Sequence, residues 1–261
     1  MGIEEKVIEN KDVAFSEKFL FGKERRNIEE AECAKERLEE LGIRTEGLEK
    51  FHRRFLMEMP KHIEKVYEEY PEIVGYITSI KSANLPEGVL ARTGPYLNKE
   101  GEYAGAEIQF SKSFFGKGNY EFKIVDLESD LNWRGERWLA GEGTRGVITH
   151  EMAHAMALKI NAEDAGILIG ERDDTRYEGL TKLYERNSRI IHLCYNALES
   201  TEISPRNVGR EVSTYASGDF GEMFAECISR YETCKKPGRL STEVHDQYVK
   251  LVEERNKRVA S

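Results

Sequence analysis

The 261-residue chain is 39% hydrophobic and 33% charged, with a formal net charge of −9 at pH 7. This composition is typical of a globular protein with a highly charged surface. The acidic balance disfavours nucleic acid as the main partner, because phosphate backbones bind basic surfaces. No apolar run approaches the ~20 residues that span a bilayer, and the charged start MGIEEKVIENKD lacks the apolar core of a secretory signal. We therefore expect a cytoplasmic protein that has no membrane partner.

The first part of the chain is predicted to be helical. Residues 24–41 are rich in helix-forming side chains. Residues 46–70 carry apolar side chains at helical spacing, and Pro60 is expected to interrupt them. We therefore predict two parts, a helical N-terminal region over residues 1–71 and a second domain over residues 72–261.

Strand patterns begin after residue 71. The segment EIVGYITSI is rich in β-branched residues, and AGAEIQFSKSF (104–114) alternates Ile108 and Phe110 with polar neighbours. NYEFKIVDL (119–127) also places apolar side chains near a two-residue period. Helical patterns then follow at about 144–160, 176–199, 220–231 and 241–258. Strands followed by helices predict an α+β fold rather than a doubly wound sheet.

The chain has four cysteines, Cys33, Cys194, Cys227 and Cys234, and no CxxC pair. Sparse cysteines in a chain of this size are typical of reduced thiols, so no structural disulfide is expected. His192 lies in the apolar stretch IIHLC and is expected to be a hydrogen-bonded core residue.

The segment GVITHEMAHAMALKI (146–160) contains an HExxH pattern. His150 and His154 are four residues apart, so one helix face presents both rings to a common point, with Glu151 beside it. In such an arrangement two imidazoles can bind Zn²⁺, which lowers the pKa of its bound water. The carboxylate can then accept a proton from that water as a general base. The alternative is an ordinary helix with two idle histidines. The apolar and small neighbours favour a buried helix, in which these polar side chains need partners.

A catalytic zinc site of this type needs a third protein ligand. The metzincin extension is ruled out, because Ala157 and Ile160 replace the required Gly and His. Asp173 and Asp174 follow downstream, but they lie in a strongly charged segment that favours a solvated turn.

A later segment, STYASGDFGEMFAECISRY (213–231), offers Glu222 and Glu226 on one helix face, with the small Ala225 between them. One carboxylate could complete a tetrahedral site, and the other could accept the free ring N–H of a zinc histidine. The alternative is an acidic, exposed helix face. That alternative is less favoured for two acids flanked by Met223, Phe224 and Ile228.

The spacing of Tyr215, Glu222 and Glu226 behind an HExxH helix, with Phe224-Ala225 before the second Glu, resembles the gluzincin metallopeptidases. The likeness is to the family of the anthrax toxin lethal factor catalytic domain, which has phage-encoded members, and it covers about residues 104–231. It implies a zincin-like fold, in which a small twisted sheet packs against helices. It also implies a zinc-dependent peptidase that acts on a protein or peptide substrate.

The same resemblance implies a role for each residue of the pattern. The zinc ligands would be His150, His154 and Glu222. Glu151 would be the general base, and Glu226 would hydrogen-bond to a zinc histidine. Tyr215 would be the phenol that stabilises the oxyanion or assists the leaving group. Residues 104–111 would fit the edge strand that pairs with substrate, although an ordinary sheet strand is an equal alternative.

Two other interpretations of the chain are compatible with this pattern. In one, a zincin scaffold is a non-enzymatic, structural component of a larger assembly such as a phage particle. Glu151 argues against that role, because a structural metal needs no base. In the other, a toxin or effector uses the same chemistry to cut one host protein.

Overall fold

The computed structural model describes residues 28–118, 137–170 and 188–259. The longer helices are α1 (residues 28–40), α2 (Arg53–Glu69), α3 (Gly143–Asp164), α4 (Ser188–Thr201), α5 (Phe220–Thr233) and α6 (Arg239–Val259). The strands are β1 (Arg44–Glu46), β2 (Ile77–Ala83), β3 (Ala91–Leu97) and β4 (Tyr103–Ser111). Single turns of helix occur at Lys112–Phe115 and Val208–Glu211, and 3₁₀ turns at Leu48–Lys50, Pro71–Ile73, Pro205–Asn207 and Tyr215–Ser217. The expected α+β class is confirmed.

The described strands form one mixed sheet in the order β1-β2-β4-β3. Strands β1, β2 and β4 are parallel, whereas β3 is antiparallel to β4 and lies at the edge. Strand β4 supplies Ala106, Ile108 and Phe110 to the core at every second position, and all three are fully buried. Because alternate residues face the same side of a strand, this run fixes the face of the sheet on which the helices pack.

An aromatic cluster joins the sheet to helix α2. Phe55 of α2 stacks on Phe115 at a centroid distance of 4.4 Å and meets Phe110 of β4 edge-on at 5.1 Å. Phe51 completes the cluster, 5.1 Å from Phe55. Such pairs add about 0.5–1.5 kcal/mol each beyond the area that they bury, so α2 is held firmly against the sheet.

Helix α3 is the central helix of the described fold. It packs against β3, β4, α2 and α5, and its residues 146–158 are all buried. The expectation of a buried helix is therefore confirmed. A helix that is buried on all sides has no polar face, so its few ionisable side chains must find partners within the protein.

Several expectations about individual elements were wrong. Residues 104–111 form the interior strand β4, which pairs with β2 and β3, so of the two alternatives the ordinary sheet strand is found, and the described edge strands are β1 and β3. Pro60 does not interrupt α2, which is continuous from Arg53 to Glu69 and buries the proline ring. His192 is exposed, because the helical period of α4 turns Ile190, Leu193 and Cys194 inward instead.

Some expectations lie outside the described residues. These are the strand at 119–127, the first part of the helix at 176–199, the N-terminal end of the helix at 24–41, and the alternative ligands Asp173 and Asp174. The division at residue 71 stays a prediction. Strand β1, which precedes that point, pairs with β2, which follows it, and one hydrophobic core extends to both sides.

All four cysteines are free, as expected; Cys194 and Cys227 are buried. Among the described helices, none combines the length and apolar character that crossing a bilayer requires.

Candidate metal centre

The first two residues of the candidate site lie on α3. His150 and His154 are both buried, and their Nε2 atoms are 3.0 Å apart. The i, i+4 spacing places both rings on one helix face. Two neutral ring nitrogens that both accept would repel at this distance, so either a proton or a cation must lie between them.

Helix α5 brings the acidic residues to this point. Asp219 caps the helix, because its Oδ1 accepts a hydrogen bond of 2.9 Å from the backbone N–H of Glu222. This cap fixes the first turn of α5 and with it the position of Glu222. Asp219 lies in the segment SGDFG, for which the sequence pattern indicated no role. In the structure it is the N-cap residue of α5.

The close approach of α3 and α5 depends on small residues. Ser229 of α5 donates a hydrogen bond of 2.7 Å to the backbone oxygen of Gly146 in α3. A Cβ added to Gly146 would lie 2.5 Å from the carbonyl carbon of Gly141, and one added to Gly141 would lie 2.0 Å from Ser229 Oγ. Ala225, predicted as the small contact residue, is fully buried.

Glu222 completes a group of three possible ligands. Its Oε2 lies 3.2 Å from His150 Nε2 and 3.4 Å from His154 Nε2. The three ligand atoms thus have mutual separations of 3.0 to 3.4 Å. A tetrahedral zinc with bonds of 2.0–2.1 Å separates its ligands by about 3.3 Å. Glu222 Oε2 is buried and makes no aligned hydrogen bond to the described residues, so the residues present fit a zinc ion.

Glu226, one turn further along α5, hydrogen-bonds to the ring nitrogen of His150 that faces away from His154. Its Oε1 lies 2.6 Å from His150 Nδ1. Its Oε2 accepts hydrogen bonds from the Ser213 hydroxyl, at 2.7 Å, and from the backbone N–H of Ala140. Because these donors bind Oε2, the other oxygen, Oε1, is left to accept the Nδ1–H of His150. The Nε2 lone pair of His150 is therefore directed toward His154 and Glu222.

The charges of this cluster also favour a cation. Burial lowers the pKa of His150, but its contacts with the Glu222 and Glu226 carboxylates and the charge of Glu151 outweigh burial and raise the pKa from 6.5 to about 10. Burial raises the pKa of Glu222, but its contacts with His150 and His154 outweigh it and place the pKa well below the ordinary value. The carboxylates thus favour positive charge at this point, which a divalent cation would supply.

Glu151 is buried beside the two histidines and is hydrogen-bonded to a residue of the sheet. The Thr93 hydroxyl of β3 lies 2.7 Å from Glu151 Oε2 and 3.0 Å from the backbone oxygen of the same residue. Nothing in the sequence pattern pointed to Thr93, because β3 was not predicted as a strand.

The ring of Tyr215 lies beside the ring of His150, with the two centroids 5.8 Å apart. The Tyr215 backbone N–H donates to Trp138 O at 3.2 Å, and the neighbouring turn is fixed by Ala216 N–H, which donates to Ser213 Oγ at 3.0 Å. Tyr215 as a whole is 42% exposed. Burial, followed by the charges of Glu222 and Glu151, raises its pKa from 10.0 to about 12. The phenol therefore keeps its proton at neutral pH and can donate a hydrogen bond.

A small cavity of about 70 Å³ adjoins the site between β3 and α3. Its walls include His150, Glu151, Tyr215 and Glu226, together with the apolar side chains Val89, Leu90, Trp138, Leu139 and Val147. The cavity therefore combines ionisable groups of the site with a mostly apolar wall.

The structure brings together every residue of the predicted site: His150, Glu151, His154, Tyr215, Glu222 and Glu226. Cys227 follows Glu226 but is not among the possible ligands that the described residues offer. Sequence reasoning missed Thr93, Ser213, Asp219 and the Ala140 N–H, since hydroxyl and backbone donors have no spacing rule that identifies them.

No protein-family model, no curated protein and no solved structure matches this chain. The likeness to gluzincins therefore stays a prediction, supported by residues rather than by relatives.

Proposed function

We propose that the chain is a zinc-dependent peptidase with a zincin-like fold. The observation that carries this proposal is the set of three ligand atoms, on His150, His154 and Glu222, whose mutual separations of 3.0 to 3.4 Å match a tetrahedral zinc. A buried carboxylate, Glu151, stands beside them, and a protonated phenol faces the same space.

Each residue has a distinct part in hydrolysis. Zn²⁺ bound there supplies a Lewis acid that polarises the scissile carbonyl and acidifies water at the site. Glu151 takes a proton from the attacking water and passes it to the leaving amine. Tyr215 donates its O–H to the oxyanion that develops on the carbonyl oxygen. Glu226 orients His150 through the Nδ1 hydrogen bond.

The test combines metal analysis with peptide cleavage. We expect the purified protein to contain about one zinc per chain, because the three proposed ligands form one catalytic site. We expect it to cleave members of an unbiased peptide library, and Glu151→Gln to lower kcat by about 10²–10⁴-fold, the usual contribution of a general base.

The zinc content of Glu151→Gln serves as the control, because that side chain is not a ligand and the metal should be retained. Zinc binding with no cleavage, or with cleavage that Glu151→Gln leaves unchanged, would instead favour the structural role of a zincin scaffold.

A further inference from the structure

Thr93 lies in the edge strand β3, directly against the residue proposed as general base. It pairs with Ile108 of β4 in the antiparallel register. Because paired residues point to the same face of a sheet, Thr93 shares the face of the buried Ile108, on which α3 packs. The Thr93 side chain is itself buried.

The contact is a hydrogen bond to a buried carboxylate. The Thr93 hydroxyl is 2.7 Å from Glu151 Oε2, the ordinary length of an O–H···O hydrogen bond. Within the described ranges, no other donor makes a hydrogen bond to the Glu151 carboxylate. The hydroxyl has one proton, which it shares between Oε2 at 2.7 Å and the Glu151 backbone oxygen at 3.0 Å, and the shorter contact sets the orientation of the carboxylate.

The second contact of Thr93 ties the same hydroxyl to the backbone of α3. Its Oγ1 is 3.0 Å from the backbone oxygen of Glu151. The hydroxyl thus lies between the side chain and the main chain of one residue, which restricts the side-chain torsions of Glu151. Oε2 is held by this hydroxyl, so Oε1 is the oxygen that lies outside the hydrogen bond.

We propose that Thr93 is a positioning residue for Glu151. It holds Oε2 so that Oε1 faces the site and accepts the proton of the attacking water. This inference rests on the proposed peptidase function. Strand β3 then has a role in catalysis as well as in the sheet, because it carries the hydroxyl that orients Glu151.

The test compares two substitutions that separate the hydroxyl from the rest of the side chain. Thr93→Val is isosteric and lacks the donor, whereas Thr93→Ser keeps it. We expect Thr93→Val to lower kcat about 10- to 100-fold, the cost of a misplaced catalytic group, with KM and zinc content unchanged. Thr93→Ser should restore most of kcat. Thr78→Val is the matched control, because it removes a hydroxyl in the same sheet that, among the described residues, bonds to the backbone oxygens of Ala104 and Ala106.

A second readout does not depend on activity. Thermal unfolding of the single variants and of Thr93→Val/Glu151→Gln forms a double-mutant cycle. We expect Thr93→Val to lower the melting temperature less in the Glu151→Gln background than in the wild-type protein, because an amide has already replaced the carboxyl group that accepts the hydrogen bond.

Three results would overturn the inference. They are an unchanged kcat in Thr93→Val, a loss of kcat that follows loss of zinc or of folded protein, and a loss that Thr93→Ser does not recover. Failure of the proposed function would differ from all three, because wild-type protein would then cleave nothing while the unfolding cycle could still show the coupling.

Discussion

At the scale of single residues, the candidate centre is a buried group of opposite charges. His150 is in contact with Glu222 on one side and Glu226 on the other, and Glu151 is held by Thr93. Buried charges are costly unless they are paired and hydrogen-bonded. The cluster satisfies this condition at Glu226 and leaves Glu222 Oε2 without an aligned donor among the described residues, which is where a cation is expected.

Tyr215 allows a test of the oxyanion role at a single atom. Tyr215→Phe removes only the phenol oxygen, and the half-exposed ring keeps its place beside His150. We expect kcat to fall about 10²–10³-fold, as when one oxyanion donor is removed elsewhere, with zinc content and melting temperature unchanged. Steady-state kinetics on a cleaved library peptide measure the effect. Tyr195→Phe, at an exposed tyrosine of α4, is the control, and equal kcat values for both variants would contradict the role.

At the scale of elements, the position of the site depends on how α3 is held by its neighbours. Helix α5 approaches through Ser229 and Gly146, and β3 reaches Glu151 through Thr93. Helix α2 contributes His62, whose Nε2 lies 2.7 Å from the hydroxyl of Thr149, the residue before His150. Three elements that are remote in sequence therefore restrain the same two turns of α3.

His62 makes the link between α2 and α3 sensitive to pH. Burial, followed by the positive charges of Arg145 and Lys65, lowers the pKa of His62 from 6.5 to about 4. Between pH 6.5 and 4 the unfolded chain binds more protons than the folded one, so the free energy of unfolding falls as the pH falls through this window. The full loss is about 3 kcal/mol, from the size of the shift.

The prediction for His62 is tested by urea unfolding at pH 7 and pH 4.5. Wild type should lose more stability over this interval than His62→Gln, which has no titrating group at that position. His192→Gln, at an exposed histidine, should keep the wild-type pH dependence. The same pH dependence in wild type and His62→Gln would show that the α2–α3 contact is not the sensitive one.

At the scale of the whole molecule, the sheet order determines what faces the site. Because β4 is interior and β3 is at the edge, the strand next to the site is antiparallel and has one unpaired side within the described residues. An edge strand can pair with an extended peptide. The small cavity between this strand and α3 adjoins His150, Glu151 and Tyr215.

Metal binding should stabilise the whole fold, because its three ligands come from two helices that are far apart in sequence. A ligand that binds only the folded state at 100 times its Kd adds about 2.7 kcal/mol. For a protein of this size that corresponds to a rise in Tm of roughly 5–10 °C. Thermal unfolding with added zinc and with a chelator measures it, and Glu222→Gln should respond far less than wild type. Equal Tm values with and without zinc would contradict the metal centre.

Local patterns in the sequence determined the elements that carry the site. The i, i+4 spacing of His150 and His154 and the apolar run around them indicated a buried helix, and the spacing of Glu222 and Glu226 indicated a second helix with two acids on one face. These inferences succeed because helical periodicity is a local property that the chain shows directly. The α+β class followed from the order of such segments.

Only the tertiary structure decided which remote residues meet. The pairing of β3 with β4 placed Thr93 on Glu151, although Gly94 and Pro95 obscured that strand in the sequence. The packing of α5 on α3 decided that Glu222 lies between the two histidines and Glu226 behind one of them. Strand order and helix packing depend on the fit of surfaces that are distant in the chain, and no local period encodes that fit.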